Sequence, residues 1–137
     1  MEEFQNEIER AARRVFRLFF GSRLYRRRRP ARGGGNFIGV EMQVRYRGDK
    51  RLSIFMEERA VASIGEILGA GGDAGCAGHD ILGEMANIIA GSALRADSGE
   101  ANISPPERAE DPGDRSLACA LQFSSRMGTL CIAVEER

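Results

Sequence analysis

The sequence predicts one α/β domain of the α+β class, with a mainly antiparallel sheet, an N-terminal helix and two central helices. Three observations predict this fold class. Apolar residues recur with a helical period near the N-terminus and again in the middle of the chain. Two segments, one before and one after the central helices, alternate apolar and polar residues around short turns, which is typical of β-hairpins. The length of 137 residues is that of a single domain with its own core.

The N-terminal part of the chain predicts a helix followed by a loop. Residues 2–20 have an apolar face surrounded by arginines, and Gly21 ends the helix. Residues 22–36 include Arg26 to Arg29 and three glycines without apolar periodicity, so we expect a mobile loop there. The apolar face of the helix contains Phe4, Ile8, Ala11, Val15, Leu18 and Phe19.

The next segment predicts a hairpin and then a helix. Residues 37–46 alternate apolar and polar side chains, and a second strand over 51–56 follows Gly48 and Asp49. This pattern indicates a hairpin with one buried face. Residues 57–68 then have a helical pattern that ends in glycines.

The C-terminal half predicts one more helix and three strands. The helix is expected over about 80–96, and a short strand over 101–104 ends at two prolines, which cannot donate hydrogen bonds to a sheet. Residues 107–115 are expected to form a polar loop. Alternating patterns over 116–123 and 128–136 indicate a closing hairpin.

Composition and cysteine usage exclude several classes of protein. The formal net charge is zero, so there is no global attraction to nucleic acid or to membranes. Cys76, Cys119 and Cys131 are an odd number without C-x-x-C spacing, which favours reduced thiols. The acidic N-terminus does not resemble a signal peptide and no apolar run is long enough to span a membrane, so the cytoplasm is the expected location. His79 is the only histidine and has no cluster of metal ligands around it in the sequence.

A narrow polar stripe on the third helix is the best functional clue. Asp80, Glu84, Asn87 and Gly91 follow each other at spacings of four, three and four, which puts them within about 60° on a helix surface. Asn and Gly are poor helix residues, costing roughly 0.5 and 1 kcal/mol relative to Ala, so a function favours them or the face is simply solvated. The residues expected to face away from the stripe are Ile81, Met85, Ile88, Ile89 and Ser92.

The stripe and a later Ile-Ser-Pro-Pro segment resemble the signature of the CheX/CheC family of bacterial chemotaxis phosphatases, CheX most closely. The resemblance covers about residues 37–137. The E-x-x-N motif with the following Ala-Gly occurs once, whereas Glu3 to Asn6 fit E-x-x-N without it. One complete motif favours a CheX-like architecture over CheC-like members, which carry two. The segment between Asn87 and Pro105 is shorter than is usual in the family. The residues that carry the resemblance are Asp80, Glu84, Asn87, Ala90, Gly91, Ile103, Ser104, Pro105 and Pro106.

The resemblance implies a CheC-like fold and hydrolysis of the aspartyl phosphate on a CheY-like receiver domain. Asn87 would orient the attacking water, and Glu84 would pair with the receiver's active-site lysine. Asp80 would extend the polar contact or help to start the helix, and Gly91 would let the receiver backbone come close. The protein would need no cofactor of its own because the receiver supplies Mg²⁺. A homodimer is implied as well, and neither nucleic acid nor a membrane is an expected partner.

The sequence is also compatible with two other functions. The first is a non-enzymatic module that binds receivers without hydrolysis, or a relative of flagellar-switch proteins of the same fold type. The second is peripheral binding to a membrane or to nucleic acid through the N-terminal helix and the arginine-rich loop. The intact Glu84 and Asn87 favour the phosphatase.

Overall fold

A computed structural model of the chain describes residues 2–27, 36–68, 77–94, 102–109 and 121–136, and within them it confirms the α+β class. Three helices and seven strands occur in these residues. In chain order they are α1 (Glu2–Phe20), β1 (Tyr25–Arg26), β2 (Phe37–Arg45), β3 (Asp49–Glu57), α2 (Glu58–Ile67), α3 (Ala77–Leu94), β4 (Asn102–Ile103), β5 (Glu107–Ala109), β6 (Leu121–Ser124) and β7 (Thr129–Glu136).

The strands form one antiparallel sheet. Its order is β1-β6-β7-β3-β2-β4, and β5 also pairs with β2. The long strands β2, β3 and β7 are neighbours, and Val40, Ile54 and Ile132 lie side by side across them. Because residues in register share a face of the sheet, this row and the rows two residues away form one continuous apolar surface.

The helices bury that surface. Residues from all three helices form a single core with the sheet, in which Phe4, Leu82 and Met85 are fully buried. Contacts between side chains hold α1 on the sheet. For example, the ring centres of Phe4 and Tyr46 are 5.3 Å apart. One side of α3 packs on β2 and β3, and α1 packs against a second side of α3. The remaining surface of α3 therefore lies next to α1.

The opposite face of the sheet carries a second, smaller apolar cluster. Phe55 and Cys131 are buried there, with Phe37 and Ala109 against them. Phe55 faces Gly39 across the β2–β3 pair. Burial raises the pKa of the Cys131 thiol to about 12, so this cysteine is a small apolar core residue, as its place in an alternating strand predicts.

Two short edge strands correct the predictions from the sequence. Tyr25–Arg26, expected to belong to the loop over 22–36, pairs with β6, and the Arg27 amide donates to the Gln122 carbonyl at 2.8 Å. Glu107–Ala109, expected to begin a polar loop, pairs with β2. Both segments lack apolar alternation because an edge strand needs only backbone partners from its neighbour.

Other boundaries agree closely with the sequence. The helix at α1 and the hairpin of β2 and β3 are confirmed, and α3 begins three residues before the expected Asp80. Leu18 and Phe19 are exposed, so the prediction that they share the buried face of α1 is wrong. The parts of the predictions that lie outside the described residues concern Arg28, Arg29, Cys76, Cys119, the end of the third helix at Ala96, the first residue of the strand over 101–104, the loop after Ala109 and the first residues of the closing hairpin.

Candidate functional site

The polar stripe of α3 faces outward. Asp80, Glu84 and Asn87 are exposed and Gly91 is half-buried, as the helical spacing predicts. The other side of α3 lies in the core, because its apolar residues pack on the sheet and on the neighbouring helices. The buried residues on that side are Ile81, Leu82, Met85, Ala86, Ile89, Ala90 and Ala93. The packing of α3 therefore fixes the direction in which the stripe points.

Asn87 and Glu84 are available to a partner. Within the described part of the chain, neither side chain forms a hydrogen bond or an ion pair with another residue. An exposed amide offers one acceptor oxygen and two donor hydrogens, and a carboxylate offers acceptors only. The two groups lie on consecutive turns of one rigid helix, which holds them in a fixed relation to each other.

Asp80 lies in the first turn of α3. A carboxylate at that place interacts favourably with the N-terminal end of the helix dipole, so Asp80 has a structural role whether or not it also contacts a partner.

Gly91 leaves a notch, which is an unfilled space, on the surface of α3. A Cβ atom built on this residue would meet no atom of the described residues within 4 Å. The described residues therefore leave room for a side chain here. Glycine at this position also allows another molecule to approach α3 closely.

The Ile-Ser-Pro-Pro segment packs beside the stripe. The Ser104 hydroxyl accepts a hydrogen bond from the backbone N–H of Gln43 at 2.8 Å. The backbone N–H of Ser104 donates to the backbone carbonyl of Gln43 at 2.9 Å. Pro106 then lies against α3, where a Cβ at Gly83 would come within 3.3 Å of the proline ring. Because Gly83 precedes Glu84, the two separate parts of the sequence signature meet in space.

Ile88 corrects one prediction. It was expected to face the core, yet it is among the exposed large apolar side chains. Eight residues after Asp80 correspond to a rotation of about 80° around the helix, so Ile88 lies at the border of the stripe and not opposite to it. Next to Ile88, a groove separates α3 from α1. The sequence alone does not predict this groove, because the groove depends on how two helices pack.

Residues of both helices line the groove. Asn87, Ile88 and Gly91 contribute from α3, and the α1 side includes Arg14, Leu18 and Phe19. The volume of the groove is about 390 Å³. The only signal for it in the sequence is the presence of apolar residues at the end of α1, and their exposure is visible only in the structure.

The described residues contain neither a cluster of metal ligands nor a membrane-spanning helix. Across 2–27, 36–68, 77–94, 102–109 and 121–136, no three His, Cys, Asp or Glu side chains are grouped so that they could hold a metal ion. None of the helices described is both long and apolar enough to cross a membrane.

Comparison with known proteins identifies the fold. No protein-family model matches the chain, and no curated protein matches it either. The structure is similar to that of chemotaxis protein CheX from Vibrio vulnificus, with a TM-score of 0.69 and 19% identity over 96% of each chain. It is also similar to CheX in the CheX–CheY–BeF3–Mg²⁺ complex from Borrelia burgdorferi, with a TM-score of 0.67 and 20% identity over 97% of this chain and 98% of that one.

One further protein has a similar structure. FliY from Thermotoga maritima matches with a TM-score of 0.59 and 14% identity, over 98% of this chain and 86% of that one. The higher TM-scores belong to CheX and CheC-like proteins. The chain therefore has the fold of the CheX and CheC-like chemotaxis proteins.

Proposed function

We propose that the protein is a response-regulator phosphatase that accelerates hydrolysis of the aspartyl phosphate on a CheY-like receiver domain. One observation carries the proposal: Asn87 and Glu84 are exposed on one face of α3 and have no partner among the described residues. The CheX-like fold supports it, since one protein of this fold occurs in a complex with CheY, BeF3 and Mg²⁺.

The chemistry needs a positioned water more than a nucleophilic side chain. In the hydrolysis, the water oxygen bonds to phosphorus while the bond from phosphorus to the aspartyl oxygen breaks. The carboxylate leaves with the electron pair, and the water proton ends on the released phosphate. Asn87 would accept a hydrogen bond from the water and so hold it in line with the breaking bond, which lowers the entropic part of the barrier.

Glu84 would fix the orientation of the partner. Lying one turn before Asn87, its carboxylate would pair with the active-site lysine of the receiver and hold the phosphoryl group opposite the amide. A charged pair in a partly dehydrated interface is stronger than one on an open surface. Mg²⁺ belongs to the receiver in this proposal and, when bound, neutralises charge on the phosphoryl oxygens.

The lifetime of a phosphorylated receiver tests the proposal. CheY-like receivers from the same genome are charged with acetyl phosphate, and their loss of phosphate is followed with and without the protein. We expect acceleration for at least one receiver. The variant Glu84→Gln should require roughly tenfold more receiver for half-maximal rate, as loss of about 1.4 kcal/mol of binding implies. Glu66→Gln, at an exposed carboxylate of α2, serves as the matched control and should behave as the wild type.

A second candidate is a receiver-binding module without hydrolytic activity. The CheX–CheY complex favours considering it, because a complex is evidence of binding and not of hydrolysis. A receiver that binds the protein and yet keeps its ordinary phosphate lifetime would identify this second function.

The proposal includes a homodimer. CheX-like proteins, by the resemblance of the signature, pair through the edges of their sheets. The edge strands β1 and β4 have only two residues each. Light scattering of the purified protein measures the mass directly, and a monomer at all concentrations would remove this part of the proposal.

A further inference from the structure

The groove between α1 and α3 contains more exposed apolar surface than the fold requires. Leu18 is 68% exposed and Phe19 is 52% exposed, although both belong to the apolar pattern of α1. Ile88, on the other side of the groove, is 37% exposed. Single exposed apolar residues are common on proteins, but a group of them along one groove is typical of an interaction surface.

The charges around this apolar group differ from one end of the site to the other. Asp80 and Glu84 make the beginning of the stripe negative, whereas Arg14 on α1 lines the same groove as Asn87. Arg10 and Arg13 form ion pairs with glutamates of α1. Arg14 forms none with any residue that the structure describes, so its charge is available to a partner.

This arrangement is complementary to one kind of partner. A phosphorylated receiver presents a lysine for Glu84 and, next to it, an acyl phosphate with about two negative charges, which the positive side of the groove would attract. An apolar surface beside the phosphate would then cover Leu18, Phe19 and Ile88. A partner docked in this way would contact the acidic residues, the Asn87 amide, Arg14 and the apolar residues at the same time.

We propose that Arg14, Leu18, Phe19 and Ile88 form a docking ledge for the phosphorylated receiver, continuous with the stripe. This role rests on the proposed function and extends it, because it assigns part of the affinity and the choice of receiver to the ledge and leaves the orientation of water to Asn87. Aromatic and arginine side chains dominate binding energy in many protein interfaces, which agrees with the composition of the ledge.

Binding and turnover test the ledge separately. The probe for binding is a CheY-like receiver from the same genome, charged with BeF3⁻ and Mg²⁺, and the probe for turnover is the same receiver charged with acetyl phosphate. We expect the double variant Leu18→Ala/Phe19→Ala to weaken binding and to raise KM about tenfold or more, with kcat within twofold of the wild type. Arg14→Ala should weaken binding severalfold at low ionic strength, and less at high salt because screening reduces its contribution.

Matched variants control for general effects on the surface. Ile67→Ala removes an apolar side chain of α2 that is 52% exposed, as Phe19 is. Arg17→Ala removes another exposed arginine of α1, located outside the lining of the groove. Both should bind and turn over as the wild type does, and all variants should keep the thermal midpoint of the wild type.

Each outcome decides between the claims. Hydrolysis that requires Asn87, with ledge variants indistinguishable from Ile67→Ala and Arg17→Ala, overturns the ledge and leaves the phosphatase intact. Binding that depends on the ledge without any hydrolysis supports the ledge and overturns the phosphatase. An absence of binding to every receiver of the genome overturns both.

Two other occupants of the groove give distinct results. If a second copy of the chain covered the ledge, Leu18→Ala/Phe19→Ala would lower the mass seen by light scattering. If α1 bound lipid, the wild type would sediment with phosphatidylcholine–phosphatidylglycerol vesicles and the double variant would not. Either result overturns the assignment to a receiver.

Discussion

Gly91 is the residue at which stability and binding are expected to oppose each other. It lies near the end of α3, where a Cβ would meet open space, and glycine in a helix costs about 1 kcal/mol relative to alanine. Gly91→Ala should therefore raise the free energy of unfolding by up to about 1 kcal/mol while weakening binding of a charged receiver, because the added methyl group fills the notch. Urea unfolding and receiver binding measure the two effects.

Gly83→Ala is the control for that substitution. Its Cβ would come within 3.3 Å of Pro106, so the gain in helix propensity should be offset by the tight contact. A Gly91→Ala variant that binds the receiver as tightly as the wild type would contradict the role assigned to the notch.

Residue-level predictions from the sequence succeeded where helix geometry alone decides the answer. The exposure of Asp80, Glu84 and Asn87 follows from their spacing and is confirmed. Ile88 was placed wrongly because it lies at the border of the stripe, where the neighbouring helix determines whether a side chain is covered. The roles of the stripe residues remain predictions.

Among the strands, one close contact between β2 and β3 requires glycine. Phe55 lies over Gly39, and a Cβ at Gly39 would come within 2.4 Å of the Phe55 ring and 3.1 Å of the Ala109 carbonyl oxygen. Gly39→Ala should lower the free energy of unfolding by about 1–3 kcal/mol, because the ring and the backbone of β5 must both move. Thermal or urea unfolding measures this, with Gly91→Ala as a substitution expected to have the opposite sign. An unchanged stability would show that Phe55 can adopt another position without cost.

The end of β3 is linked to the β6–β7 turn by Glu57. Its carboxylate accepts hydrogen bonds from the Thr129 amide at 2.8 Å and from Arg59 Nε at 3.1 Å. Burial by itself would raise the pKa of Glu57, but the hydrogen bonds from Thr129 and Arg59 outweigh burial and hold the pKa below its usual value. The charged form is thus favoured in the folded protein.

The stability that Glu57 contributes should depend on pH. Because the folded-state pKa is lowered, its contribution is present above the unfolded pKa of about 4.3 and is lost as the pH falls through the folded pKa. Glu57→Gln should be less stable than the wild type at pH 7, and the difference should shrink below about pH 4. Urea unfolding over pH 3–7 tests this, with Glu66→Gln as control; a difference that stays constant down to pH 3 would contradict it.

Elements with strong periodicity were predictable, and short edge strands were not. Residues 2–20 and 37–46 carry enough apolar repeats to specify α1 and β2. Tyr25–Arg26 and Glu107–Ala109 are strands because β6 and β2 offer them backbone partners. Their own side chains contain no such signal.

At the scale of the whole molecule, the order of strands and the packing of helices create the candidate site. The chain's two hairpins could be recognised in the sequence, but the pairing of β3 with β7 joins strands more than 70 residues apart. The contact between α1 and α3 likewise produces the groove beside Asn87. The sequence indicated the stripe, whereas its surroundings required the tertiary structure.

The complete site, in the proposed function, forms only when the receiver docks. The protein would contribute an amide and a carboxylate, and the receiver would contribute the phosphoryl group, the lysine and Mg²⁺. Catalysis by positioning of this kind is lost when the positioning group is removed, even though binding persists.

The rate of phosphate loss from a charged receiver in the presence of Asn87→Ala tests this claim most directly. The variant should bind the receiver as the wild type does and be at least as stable, because alanine is the better helix residue by about 0.5 kcal/mol. Asn6→Ala makes the same change at an exposed asparagine of α1 that does not line the groove and whose neighbour Glu3 is paired with Arg47. We predict that Asn87→Ala lowers kcat about 100-fold or more while Asn6→Ala leaves it unchanged; an Asn87→Ala protein with the wild-type rate would contradict the account.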